Sequence, residues 1–360
     1  MKTSKLFSIQ ALRAYAALSV LCGHACEEWA AAFDQSLGFH TRALTFGVDV
    51  FFVISGFIMY NTAAETFGKP GASLEFLRRR VIRIVPLYWI FTTLMALSTI
   101  FLAAHVHSTT LTPWTTFSSY IFWPAERESG RIAPILSLGW TLNYEMFFYA
   151  LFAVALLFPL KRGLACLAVS IFGIAAFGWL AAPTEPALRF WSDPIILEFA
   201  AGVALAIGYR RVRIASIPGA ALCFALGFGA LFAQCIIGGE AHRVLLGGGP
   251  ALLLVAGAAL LPPSLDARIP GFVVLLGDSS YALYLCHRFV MRIYTIGLDV
   301  VSPAQTIDLG LYLAGLITLT IIASIIVYKF VEIPTLSWLR TVSTAPAHPA
   351  LTDIALRRKT

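Results

Sequence analysis

Charge is scarce in this sequence. Asp, Glu, Lys and Arg make up 12% of 360 residues against 59% hydrophobic residues, and mean hydropathy is +0.80, a balance that excludes an ordinary soluble domain. Cysteine is thin as well. Cys22, Cys26, Cys166, Cys223, Cys235 and Cys286 show no CxxC spacing, which argues against a disulfide framework and against zinc. Cys22, His24 and Cys26 resemble a ligand triplet on paper, but on a helix His24 projects about 200° away from Cys22; no metal is expected. Basic residues are not interleaved with aromatics, so nucleic acid is not an expected partner, and the net charge of +7 reads as membrane topology and attraction to anionic lipid. A small-residue cleavage site is missing after the first apolar run, which Arg13 interrupts, so a retained first helix is expected. No repeat or low-complexity tract is of consequence.

What is present is a succession of apolar stretches about 20 residues long, which predict helices near 8–26, 45–62, 82–103, 137–158, 163–181, 190–208, 214–236, 243–262, 271–295 and 310–331. An even number of spans puts both termini on one side. Lys2, Lys5, Lys69, Arg78, Arg79, Arg80, Lys161, Arg162, Arg210, Arg211, Arg213, Arg268, Arg340, Arg357, Arg358 and Lys359 fall in alternate segments, against only Arg42, Arg127, Arg131, Arg189 and Arg243 in the others. The richer side should be cytoplasmic. The expected fold is an all-α integral membrane protein, about ten transmembrane helices in one bundle over 1–340, with both termini cytoplasmic and a disordered tail over 341–360.

Ionisable residues inside such spans are costly and mark candidate chemistry. Arg13 and His24 are eleven residues apart in SIQALRAYAALSVLCGHAC, hence about 20° apart around a helix and roughly 16 Å apart along it. A basic group near one membrane face is thereby aligned with an imidazole near the other. In GVDVFFVISGF, Asp49 lies at the level expected for His24 and is a candidate to orient it as a general base; capping its own helix or facing water is the plainer role. Ser55 and Gly56 suit close helix approach.

FLRRRVIRIVPLYW carries Arg78, Arg79, Arg80 and Arg83 at the cytoplasmic mouth of the third span. Such clusters commonly anchor topology, yet Arg83 lies one turn inside, and guanidinium groups so placed match phosphates bidentately. In SLGWTLNYEMFFYALF, Glu145 sits roughly 12 Å from the outer helix end, where pairing with Arg13 or another cation, proton transfer and holding the bundle are all open. SYALYLCHRFVMR puts His287 near the level of His24, as an acceptor contact or as a structural histidine. The hydrophilic stretch 104–136, with His105, His107, Trp114, Trp123, Glu126, Arg127, Glu128 and Arg131, either covers a site or holds interfacial tryptophans.

Taken together, Arg13 and His24, GVDVFFVISGF, RRRVIRIVPLY, GWTLNYEMFFY, YALYLCH and YKFVEIP occur in the order of the membrane acyltransferase-3 family, which the chain resembles from about Ile9 to Pro334. The resemblance implies O-acylation of carbohydrate in a bacterial inner (cytoplasmic) membrane: an acyl group, usually acetyl, passes from cytoplasmic acetyl-CoA to a sugar hydroxyl. The acceptor partner is an exopolysaccharide, another cell-surface polysaccharide, or a lipid-linked oligosaccharide precursor. It assigns His24 as the essential histidine and Arg13 as its partner, Arg79, Arg80 and Arg83 to the donor side, and Glu145 to the acidic position after the tryptophan; Trp140 and His287 are the candidate substrate contacts. Ala14, Thr141 and Arg288 depart from the family's commoner residues, Arg288 in a way that fits an acidic acceptor. A polysaccharide-precursor transporter or flippase and a non-catalytic assembly partner stay open as alternatives; neither needs a thioester.

Overall fold

Helices carry the chain back and forth in a bundle that includes α1 (Phe7–Ala32), α2 (Gly47–Ala63), α3 (Ala72–Phe101), α4 (Trp140–Ala155), α5 (Leu160–Ala181), α6 (Leu197–Val212), α7 (Ile217–Ile237), α8 (Gly249–Leu260), α9 (Gly271–Asp278), α10 (Ser280–Val301) and α11 (Leu309–Val327). The computed structural model describes residues 6–101, 111–212, 214–238, 242–301 and 307–344. Among these there is no strand, only one isolated bridge between Glu126 and Ile132. Lys2, Lys5, His105, His107, Arg213, Arg357, Arg358, Lys359 and the tail from 345 onward lie outside the described residues. Helix continues as far as Thr344, beyond the boundary expected at 341.

Five described segments are long and apolar enough to cross a membrane: Arg42–Ala63, Ala72–Phe101, Leu160–Ala181, Ile217–Ile237 and Leu309–Thr341. The other predicted stretches also fall on helices, but these are shorter or interrupted by charge. Two interruptions have local causes. The expected span over 271–295 breaks at Ser279 between α9 and α10, within Gly277-Asp278-Ser279-Ser280, whose short polar side chains compete with helical backbone hydrogen bonds. Before α8 the backbone widens into a π-turn over Val244–Gly248, leading into Gly249 and Pro250; proline brings no N–H to the helix.

The helices pack through small residues, which admit close backbone approach. Gly56 of α2 and Gly202 of α6 face each other's backbones, and a Cβ at either would collide with the carbonyl oxygen of Phe199 or Val53. Gly47 and Gly277 lie equally close to the α1 backbone at Ala16 and Gln10. The depth of α1 is set from a distance. Asp266 accepts from the backbone N–H groups of Phe7 (3.0 Å) and Ser8 (2.7 Å), satisfying donors that a helix start leaves unpaired. That fastening fixes where Arg13 and His24 lie.

Contacts between helix ends form two sets. One set joins Ser8 to Ala258, Arg210 to Asn61 and Glu65, Gly68 to Leu156, and Ser73 to Ala153. The other joins Trp29 to Ile307, His40 to Cys235, and Arg189 to Glu126. The first end is also where Lys69 and Arg268 of the connections lie, with Arg78, Lys161, Arg162, Arg210 and Arg211 on the helix turns beside them.

Candidate active site

Among the described residues helices α1 and α10 share three polar contacts: Arg292 donates to Glu28 at 3.3 Å, one turn past His24, and the other two are the rungs of the site. At the first, Arg13 Nη2 donates to Ser280 Oγ at 3.1 Å; at the second, His24 Nδ1 and His287 Nε2 are 3.0 Å apart. Eleven residues separate the rungs on α1 and seven on α10, a difference the long arginine side chain accommodates. The break at Ser279 makes Ser280 the opening residue of α10 and so brings its hydroxyl to Arg13. His287 is completely buried, with Nδ1 2.8 Å from the carbonyl oxygen of Tyr284 and 3.3 Å from that of Leu283. His24 is half-buried.

Beside the first rung lies a cavity of about 170 Å³, whose polar lining includes Arg13, Arg80, Arg83, Glu145, Tyr149 and Ser280. Helical spacing explains the arginines: Arg80 and Arg83 are three apart on α3 and share a face. Arg83 pairs with Glu332, a buried residue of the π-turn Tyr328–Glu332 that follows α11. Arg80 lies over the rings of Phe76 (5.4 Å) and Tyr149 (5.8 Å), and its Nε has no hydrogen-bond partner. Glu145 accepts from Tyr149 and, at 3.3 Å, from Ser55. Among the described residues neither Arg13 nor Arg80 has a carboxylate within ion-pair distance. The cavity thus gathers three guanidinium groups, two of them without a carboxylate partner, and suits an anionic ligand.

Arg79, one residue before Arg80, points elsewhere: its side chain is 69% exposed and donates to Glu75 at 2.6 Å. Asp49 is buried but does not orient His24. Its two oxygens accept from Arg243 Nε (3.1 Å) and Nη2 (2.6 Å), because the π-turn before α8 brings Arg243 in beside it. Gly247 and Gly248 there leave room for the carboxylates of Asp49 and Glu198, where a Cβ would collide with both. Arg243 also covers Phe46 (5.5 Å) and Trp140 (5.4 Å). Trp140 is therefore drawn into this second cluster, lining a recess of about 250 Å³ with Tyr144, Asp193, His242 and Arg243. The histidine predicted as an acceptor contact is instead the partner of His24, with both ring nitrogens engaged.

Arg243, Glu198 and Ser280 carried little signal in the sequence, and Glu332 entered only as part of YKFVEIP, with no role attached. The outermost arginine of a loop reads as solvated, a serine in a polar break reads as a breaker, and Glu332 lies just past the expected end of its span. Thr141 puts its hydroxyl in use, 3.0 Å from Tyr284 OH. In the loop, Arg127 is buried and donates to the carbonyls of Ala133, Pro134 and Ile135, closing the loop that follows Trp123, which packs edge-on against Trp191 at 4.7 Å. Burial depresses the Arg127 guanidinium below its ordinary range. No group of three His, Cys, Asp or Glu suited to a metal occurs among the described residues.

The acyltransferase domain family matches residues 6–329. The chain is also 35% identical over 260 residues to the exopolysaccharide production protein ExoZ of Rhizobium meliloti (strain 1021), an alignment covering 72% of this chain and 80% of that protein. No solved structure matches it.

Proposed function

The chain belongs to the acyltransferase-3 family, and from that premise we propose that it moves an acyl group, acetyl in our reading, from acyl-CoA to a sugar hydroxyl of an exopolysaccharide or other cell-surface polysaccharide, or of its lipid-linked precursor. The similarity to an exopolysaccharide production protein supports this acceptor class. We place the protein in the bacterial inner membrane with about ten spans and the basic-rich end in the cytoplasm. The carrying observation is the pair of rungs: a histidine couple on the same two helices that hold an arginine-lined cavity at another depth.

In this reading Arg13, Arg80 and Arg83 hold the donor's phosphates, and the aromatic walls of Tyr149, Tyr281 and Tyr284 line the path of its pantetheine arm. His24 acts as general base. It takes the proton of the acceptor hydroxyl as that oxygen attacks the thioester carbonyl; the new C–O bond forms, the C–S bond breaks, and the proton passes from His24 to the departing thiolate, giving the free thiol. An acyl-histidine on His24 is the covalent variant of the same chemistry. Asp49 has no part in orienting the base, and Glu145 shapes the cavity through Tyr149 and Ser55.

The test is genetic and chemical. The gene is deleted, either the original or His24→Ala is restored, and ester-linked acetate on purified cell-surface polysaccharide is measured by proton NMR. Acetate lost on deletion and restored only by the original supports the reading. Unchanged acetate with an altered quantity of polysaccharide overturns it in favour of transport or assembly.

A further inference from the structure

The hydrogen-bond chain through His287 determines which nitrogen of His24 is free, given the reading of His24 as a base on which this step rests. A carbonyl oxygen only accepts, so His287 Nδ1, 2.8 Å from Tyr284 O, carries a proton. His287 is completely buried with no carboxylate among its hydrogen-bond partners, a setting that favours the neutral ring. A neutral imidazole has one N–H, so Nε2 of His287 is an acceptor. The group facing it is His24 Nδ1, which must then be the donor.

Ring geometry agrees. The planes are 6° apart and the centroids 5.2 Å apart while the facing nitrogens are 3.0 Å apart. Rings so placed lie edge to edge in one plane, the in-line arrangement of an N–H···N hydrogen bond rather than a face-to-face stack. His24 Nε2 is left with no hydrogen bond among the described residues, on a ring that is only half-buried.

We propose that His287 is a positioning residue: it relays the polarity of the Tyr284 carbonyl through its own ring, holds His24 in the Nδ1–H tautomer, and so makes Nε2 the atom that receives the acceptor proton. The relay needs no rearrangement during the reaction. As His24 gains positive charge its Nδ1–H still points at His287 Nε2, and that bond strengthens as the charge grows, which favours the transition state over the ground state. His287 replaces the carboxylate that commonly orients a catalytic histidine, and it does so without placing a negative charge in an apolar bundle. Having both nitrogens engaged, it has none to offer the acceptor.

The experiment uses full-length protein in liposomes with ¹⁵N-labelled histidine, and His24→Gln to identify the His24 signals by solid-state NMR. The expected spectrum has His24 protonated at Nδ1 and bare at Nε2. His287→Leu should shift His24 to the other tautomer or a mixture and lower turnover by about 100-fold, the lower range for a mispositioned general base, with the acyl-CoA KM within about twofold. His287→Gln offers an amide N–H to the Tyr284 carbonyl and an amide oxygen to His24, and should restore the tautomer and most of the turnover. His24 protonated at Nε2 in the unmodified protein, or unaltered tautomer and turnover in His287→Leu, overturns the proposal. The wild-type spectrum needs no turnover, and His24→Gln serves only to assign its signals, so a protein that transfers no acyl group at all counts against the function and not against the relay.

Discussion

Two polar pairs within the bundle have opposite characters. Asp49 and Arg243 close on each other: both carboxylate oxygens are engaged, and the guanidinium is further covered by Phe46 and Trp140. His24 and His287 form a chain with one open end, anchored on the Tyr284 carbonyl and leaving a nitrogen of His24 unengaged. A pair that satisfies itself holds helices; a pair that leaves a lone pair free can do chemistry. The same contrast recurs on α3, where Arg79 is closed by Glu75 in solvent and Arg80 lies open over aromatic rings in the cavity.

The contrast is broken most directly at its open end. His24→Ala should lower acyl transfer by about 10³–10⁴-fold, the upper range for loss of a general base, while acyl-CoA still binds, since the arginines are untouched. Radiolabelled transfer and equilibrium binding on the same liposomes check both halves. Loss of binding together with transfer would make His24 part of the donor site and erase the distinction.

Next in size is the closed end. Arg243→Ala strands Asp49, which has 0% exposure, and removing one partner of a buried pair costs about 3–5 kcal/mol. Glu198 is stranded with it, buried and without a hydrogen-bond partner for either oxygen. A lowered thermal midpoint in detergent is expected, with turnover per folded molecule little changed, and Asp49→Asn in the Arg243→Ala background should recover part of the stability by removing the stranded charge. Turnover collapsing at unchanged stability would instead place Asp49 in the chemistry.

What the sequence disclosed of this arrangement follows the same division. Relations along one helix were legible: Arg13 with His24, and Arg80 with Arg83, because 3.6 residues per turn fixes their relative angle and rise. Relations between helices were not. The depth of Asp49 could be counted along α2, but its direction depends on how α2 is rotated against α6 and the π-turn, which no periodicity in α2 specifies; it faces Arg243 and not His24. His287 was placed near the level of His24, but the hydrogen bond between the two rings was not legible, for the same reason. The breaks at Ser279 and Val244–Gly248 escaped a reading by apolar stretches about 20 residues long, since a few polar or glycine residues barely alter such an average. Yet these irregularities deliver Ser280 to Arg13 and Arg243 to Asp49.

The cavity arginines sharpen the comparison on a smaller scale. Arg80→Ala removes a guanidinium with no carboxylate partner, and the loss of one charge-assisted contact to a phosphate, about 1.5–3 kcal/mol, should raise the acyl-CoA KM by roughly 10–150-fold with a smaller change in turnover. Arg83 is already matched by Glu332, so donor binding at Arg83 must compete with that carboxylate, and Glu332→Gln should tighten acyl-CoA binding. Equal KM effects from Arg80→Ala and Arg79→Ala would show that the cluster acts as a diffuse basic patch.

Arg79→Ala is the smallest expected effect and the strictest control. Arg79 and Arg80 are neighbours with the same charge on the same helix, so long-range electrostatics scarcely separates them; what differs is the direction each side chain takes. Arg79 is 69% exposed and its partner Glu75 37% exposed, a solvated pair of the kind worth about 0.2–1 kcal/mol, and Glu75 keeps a second partner in Arg78 at 2.7 Å. Removing Arg79 should therefore leave the acyl-CoA KM within about fivefold of the original, and that small effect should shrink further as salt rises, because a charge in open solvent is screened while one inside the cavity is not. A KM shift in Arg79→Ala that matches Arg80→Ala and survives high salt would mean that the guanidinium swings from Glu75 into the cavity when the donor arrives, moving Arg79 from the closed set to the open one.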